Sequence, residues 1–217
     1  MAGVDLERSA KPVKIDELAA VQIEVAGHYA CAFEPLGRVW CWGQYGTGAT
    51  SSGLVQVRVA SNNDDDEDLR IQSLAMAKAA SGLQVSCAAT VEGDVVCWGD
   101  VTFGVSDVVF PDRAIRIGVS DVVDVSVGRN AACAVDRAGT IWCWGRENFG
   151  AAQLTELMVA VPVESDVCFE QVHVGDNHIC AVSRGGQVYC WGNDEQGQLA
   201  GAEVHADPLT PGLVPAL

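Results

Sequence analysis

Cys133-Ala-Val-Asp-Arg-Ala-Gly-Thr-Ile-Trp-Cys143 reads as two short strands folded about the stretch Asp136 to Thr140. A type I turn followed by Gly139 in the left-handed conformation, a G1 bulge, is one of the favoured ways to close such a hairpin. In that register Asp136 faces Thr140, Val135 faces Ile141 and Cys133 faces Cys143. Counting outward from the turn, the two cysteines share a non-hydrogen-bonded position, where antiparallel side chains approach most closely. The pair is therefore placed to form a disulfide.

The same pattern recurs at Cys31/Cys41, Cys87/Cys97 and Cys180/Cys190, always ten positions apart. Each second cysteine opens a Cys-Trp-Gly triplet, with Trp42-Gly43, Trp98-Gly99, Trp144-Gly145 and Trp191-Gly192 following. A turn glycine sits six residues after each first cysteine, at Gly37, Gly93, Gly139 and Gly186. The chain is a tandem repeat. Free buried thiols and a metal site compete with the bridge reading, but zinc knuckles join ligands through about two to four residues and no histidine recurs with these cysteines. A bridge this short contributes roughly 2.5 kcal/mol by loop entropy.

First cysteines of successive copies stand 56, 46 and 47 residues apart, a period that suits a four-stranded propeller blade. The copies occupy roughly 12–54, 55–109, 110–160 and 161–210 of a single array, with 211–217 opening a further one. Strand-like segments, Val21-Gln-Ile-Glu-Val25, Val122-Val-Asp-Val-Ser-Val127 and Val172-His-Val174, precede the hairpins. Alternation puts Trp40 and Trp42 on one face and Val39 and Cys41 on the other, and Trp142 with Trp144, then Tyr189 with Trp191, repeat the arrangement. Burying one such ring removes about 150 to 250 Å² from water, worth up to roughly 4 to 6 kcal/mol before entropy is subtracted. These aromatics and their glycines are read as core between blades.

The fourth copy, Val174-Gly-Asp-Asn-His-Ile-Cys-Ala-Val-Ser-Arg-Gly-Gly-Gln-Val-Tyr-Cys-Trp-Gly-Asn-Asp-Glu-Gln-Gly-Gln-Leu199, resembles the regulator of chromosome condensation repeat in a cysteine-rich, bacterial-type variant. It departs from that family's pattern chiefly at Ala200, where glycine is expected. His28 and His178 resemble the family's histidine, whereas the other copies carry Val85 and Ala131 nearby. The resemblance runs from Pro12 to Leu217 and implies an all-β propeller. The family's usual ring has about seven blades, so four copies imply a partial ring. Pro12-Val13-Lys14-Ile15 and Pro211-Gly-Leu-Val-Pro215 duplicate each other as repeat openings, which suits an arc better than a ring closed by shared strands.

A formal charge of -16 over 217 residues repels phosphate backbones, which weighs against nucleic-acid binding and the namesake's chromatin or nucleotide-exchange role. No stretch is apolar for long enough to span a membrane as a helix. Paired cysteines point to an oxidising compartment, although Met1 to Ala10 shows no signal-peptide pattern; the expectation is an extracellular or cell-surface protein. Asp64, Asp65, Asp66 and Asp68 form a weak calcium candidate without the ligand spacing of a helix-loop-helix site, and a solvated insertion is the simpler reading. Cys168, the odd ninth cysteine, is expected to be a buried free thiol. Four scattered histidines and no nucleophile or phosphate-loop motif argue against an enzyme and imply no cofactor. The expectation is a non-catalytic scaffold whose loops bind a protein partner. A structural segment of a larger surface protein or adhesin is the alternative, and self-association through open blade edges is a further expectation.

Overall fold

The computed structural model describes residues 12, 14–16, 18–45, 49–59, 67–79, 81–101, 110–145, 159–203 and 210–215, and every regular element among them is a β-strand. Blade one is β1 (Gln22–Ala26), β2 (Tyr29–Phe33), β3 (Val39–Tyr45) and β4 (Ala49–Gln56), antiparallel and in chain order. Two short strands follow, β5 (Arg58–Val59) and β6 (Glu67–Asp68). Blade two is β7 (Ile71–Lys78), β8 (Gln84–Thr90), β9 (Val95–Gly99) and β10 (Phe110–Arg116). Blade three is β11 (Val122–Val127), β12 (Ala131–Asp136), β13 (Ile141–Gly145) and β14 (Val161–Pro162). Blade four is β15 (Phe169–Val174), β16 (His178–Ser183), β17 (Val188–Gly192) and β18 (Gly212–Leu213).

The hairpin register is the one the sequence implies. Cys133 pairs with Cys143, Val135 with Ile141, and the amide of Asp136 donates to the Thr140 carbonyl at 3.0 Å. Cys31 likewise stands opposite Cys41, Cys87 opposite Cys97 and Cys180 opposite Cys190. Gly139 closes the turn with φ 96° while donating to the Asp136 carbonyl at 2.9 Å. Gly37, Gly93 and Gly186 repeat that geometry at φ 84°, 93° and 76°. Because a left-handed backbone costs an L-residue about 1 to 2 kcal/mol, glycine is the natural occupant of this position.

Blades pack face to face through their inner strands, with β1 against β7, β7 against β11 and β11 against β15. Three apolar cores result. Tyr29, Phe33 and Val39 of blade one meet Leu74, Val96 and Trp98 of blade two. Val85, Cys87, Val95 and Cys97 of blade two meet Val125, Val127 and Trp144 of blade three. Val135, Ile141 and Cys143 of blade three meet Phe169, Val172 and Trp191 of blade four. No such core joins blade four to blade one among the described residues, so the four blades form an open arc.

Two features depart from a plain count of repeats. The residue that pairs with each second cysteine on its outer side comes from the opening of the next sequence repeat: Val55 pairs with Cys41, Ile115 with Cys97, Val161 with Cys143 and Gly212 with Cys190. Pro211 to Pro215, read as the opening of a fifth repeat, thus supplies the outer strand of blade four. The long insertion does not simply loop out either, because β5 runs parallel to β10 and is paired by β6, extending blade two to six strands. This covers an edge that β10 would otherwise leave unpaired.

Candidate functional site

The four cysteine pairs, Cys31–Cys41, Cys87–Cys97, Cys133–Cys143 and Cys180–Cys190, have S–S separations of 2.07, 2.17, 2.15 and 2.11 Å, each with a Cα–Cα distance of 4.1 Å. Such a close backbone approach is what a non-hydrogen-bonded antiparallel pair allows. In register and burial Cys97 matches Cys41 and Cys143. Trp98, Trp144 and Trp191 are buried, whereas Trp42 is only half-buried. Gly43, Gly99, Gly145 and Gly192 all have positive φ, between 84° and 125°. A Cβ on Gly43 would overlap the His28 carbonyl, and on Gly192 it would stand 2.8 Å from the Asn177 carbonyl. These residues hold blades together and leave little of themselves to meet a ligand.

The open chemistry lies at the rim instead. A cleft of about 320 Å³ opens where blade two hands over to blade three, lined by Gly118 to Asp121 on one side and by Asp136, Arg137, Ala138 and Trp142 on the other. The link is pinned on its inner side, since Val95 donates to the Val119 carbonyl at 3.1 Å, and the Arg137 amide donates to the Asp121 carbonyl at 2.7 Å. Asp121 adopts φ 58°, a left-handed conformation that aspartate tolerates better than most side chains. Asp136 accepts hydrogen bonds from the Thr140 amide at 2.9 Å and from Trp142 Nε1 at 2.9 Å. Burial acts to raise its pKa, but donation by Trp142 and by the amides of Thr140, Gly139 and Ala138 outweighs it and holds the carboxyl below its ordinary value. The cleft thus presents a fixed carboxylate, an exposed arginine and the edge of an indole.

Such a set can recognise a polar or aromatic side chain of a partner. No histidine lines it, nor the neighbouring cavity of about 80 Å³ that contains Thr140, Ser165, Asp166 and Cys168. Cys168 is a free thiol and is exposed, contrary to the buried position expected of it. It sits between the bend at Asp166–Val167 and β15, with its Cβ 2.9 Å from where a Gly139 side chain would begin, so its inner side is packed although the residue is exposed. Asp64, Asp65 and Asp66 lie outside the described residues. Asp68 is exposed at the end of β6 and accepts from Gln56 Nε2 at 3.3 Å. Among the described residues no three His, Cys, Asp or Glu side chains gather as a metal site, and no helix is long and apolar enough to cross a membrane.

The family histidine is placed differently in its two copies: His178 packs its ring against Gly175, whereas His28 is exposed. Ala200, standing where the family has glycine, keeps the glycine conformation with φ 51°. The cleft itself was only half visible in the sequence. Asp136 facing Thr140 follows from the hairpin register, but nothing local signals that Gly118 to Asp121 returns beside it.

Four-stranded antiparallel sheets stacked face to face in chain order define a β-propeller, here as an open arc. The regulator of chromosome condensation (RCC1) repeat model matches residues 122–151 and 169–198, which lie in the third and fourth copies. Human WBSCR16 superposes with a TM-score of 0.71 at 14% identity, over 95% of this chain and 55% of that one. Yeast RCC1 (Prp20), in its structure with Kap60 bound, superposes with a TM-score of 0.66 at 17% identity, over 94% and 50%. Prp20p from Saccharomyces cerevisiae, described with its binding properties to Gsp1p and histones, gives 0.53 at 16% identity, over 91% and 63%. The chain spans about half the length of the first two. At these identities the likeness is one of fold. No curated protein matches the chain by sequence.

Proposed function

We propose that this chain is a non-catalytic scaffold that binds a protein partner through the rim of its blades, at the cell surface or outside the cell. The observation that carries the reading is the division of labour between stacked faces and rim: bridged hairpins and tryptophans are committed to packing, while Asp136, Arg137 and Trp142 surround an open cleft. Propellers with the same architecture bind proteins, as the Kap60 complex of yeast RCC1 illustrates. Four bridges suit an oxidising compartment, and a charge of -16 favours a basic partner surface over a nucleic acid. A structural role within a larger surface protein is the competing reading.

Oxidised protein, immobilised beside its Arg137→Glu and Trp142→Ala variants, is exposed to a cell-surface protein fraction. The expected outcome is a specific bound protein whose retention falls at least about tenfold with either variant. Equal capture by all three forms removes the cleft from the proposal, and nine free thiols in protein taken from its native source remove the compartment.

A further inference from the structure

The arc makes one joint three times, which defines the two faces that meet in it. On the back of one blade lies the cysteine hairpin with its turn glycine; on the front of the next lie the inner strand and the Trp-Gly tryptophan. The amides of Ile71, Val122 and Phe169 donate to the carbonyls of Gly37, Gly93 and Gly139 at 3.0, 2.9 and 2.9 Å. Beside them Gln22 Nε2 donates to the Leu74 carbonyl and the Val172 amide to Asp124 Oδ2, both at 3.0 Å. Apolar burial completes the joint. Leu74, Val125 and Val172, each paired with the alanine that follows a first cysteine, are 4%, 6% and 0% exposed.

Both faces also occur at the ends of the arc, where the described residues leave much of each exposed, although Leu199 and Ala202 pack on Cys190 at the back of blade four. Ile23, paired with Ala32 in the same register, is 56% exposed and its neighbour Val25 is 70% exposed. Trp42 is half-buried, although Trp98, Trp144 and Trp191 in the same position are 0%, 1% and 2% exposed. On the back of blade four, Val188 is 42% exposed against 0%, 0% and 1% for Val39, Val95 and Ile141. The Gly186 carbonyl accepts no hydrogen bond from the described residues, and nothing lies within 4 Å of where its Cβ would stand. Around Gly186 and Val188 one end carries an open socket, and the other end carries the matching plug.

We propose that these end faces join copies of this chain head to tail, the back of blade four in one copy seating the front of blade one in a second, and that two copies close into a ring. The joint continues an interface the chain already forms three times, so its shape and hydrogen-bond complementarity need no new invention. Two copies supply eight blades, within the roughly four to eight that closed propellers use. Because β18 already pairs with β17, the contact is one of faces and not of strand addition. A front-to-back contact used twice makes a closed two-fold pair, whereas failure to close would give a filament.

Light scattering on the oxidised full-length chain tests this directly. The expected mass is twice 22.8 kDa, and a particle of 22.8 kDa or an indefinite polymer overturns the proposal. Val25→Arg on the front and Val188→Asp on the back change exposed side chains, so each blade keeps its own core. Each variant alone is expected to run as a monomer. Mixed together they should pair again, since one of the two joints then has native residues on both sides. If Val25→Arg dissociates the pair and Val188→Asp does not, or if the mixture stays monomeric, head-to-tail pairing is wrong.

Discussion

The hairpins of blades three and four are near copies in sequence and register, yet they live in different surroundings. Cys133, Val135 and Ile141 are sealed beneath blade four, while Cys180 and Val182 are half-buried and Val188 is exposed. Turn type, cysteine pairing and strand register are the same in both, so a single hairpin determines them by itself. Burial differs, so it belongs to the neighbouring blade. The front faces teach the same lesson in reverse, with Trp144 covered and Trp42 not.

That contrast can be broken by measurement, best on the Val25→Arg form so that no second copy masks the ends. Trp144→Ala is expected to cost about 3 to 5 kcal/mol in urea unfolding, because it empties a sealed core position. Trp42→Ala should cost about half as much, since its ring already meets water; equal losses would mean that the two faces are equally covered. A smaller separation is expected for the turn glycines. Alanine at either Gly139 or Gly186 incurs the left-handed penalty of about 1 kcal/mol, but at Gly139 its Cβ would also stand 2.9 Å from Cys168 Cβ and 3.0 Å from the Phe169 amide nitrogen. Gly139→Ala should therefore lose about 1 to 2 kcal/mol more than Gly186→Ala.

The smallest effect is a pH dependence that pairs a rim carboxylate with one in a joint. Asp136 has its pKa lowered from 3.8, so the stability it adds is present above that value and fades as pH falls through the lower folded value. Asp124, inside the joint of blades three and four, is shifted the other way: burial raises its pKa, against donation from the Val172 amide and the electrostatic pull of the nearby His173. Its ionised form is the less favoured one in the fold, so acidification through the raised value relieves the joint and recovers stability until 3.8 is reached. Asp136→Asn should remove the first trend and Asp124→Asn the second. Each is expected to shift stability by under about 1 kcal/mol, since Asp136 is largely solvent-screened. Unfolding curves at successive acid pH values check the signs.

What the sequence made legible was local. A ten-residue cysteine spacing, a turn glycine and alternating apolar residues fix who faces whom within one hairpin, because strand parity leaves no other register. Parity likewise turns Trp98, Trp144 and Trp191 onto packed faces, whereas Trp42, on the same side of its strand, is only half-buried. Three features were not legible, and each depends on chain segments far apart. The outer partner of each second cysteine is borrowed from the next repeat, so that Cys97 faces Ile115 as well as Cys87. In addition β5 lies parallel to β10 some fifty positions on, and Gly118 to Asp121 closes the rim cleft. Cys168 failed on a finer scale: it stands between a bend and the start of β15, where strand alternation does not yet apply, and it is exposed.

The bridges also have a mechanical meaning. Under tension along the chain, a hairpin closed by a cross-strand sulfur pair can rotate and peel away from its neighbours, but it cannot unravel. The residues between its cysteines, about ten at roughly 3.5 Å each, stay out of the extensible length. With four such locks, on the order of 140 Å of contour is withheld, so a stretched arc keeps four closed hairpins even after the inner and outer strands beside them have come away.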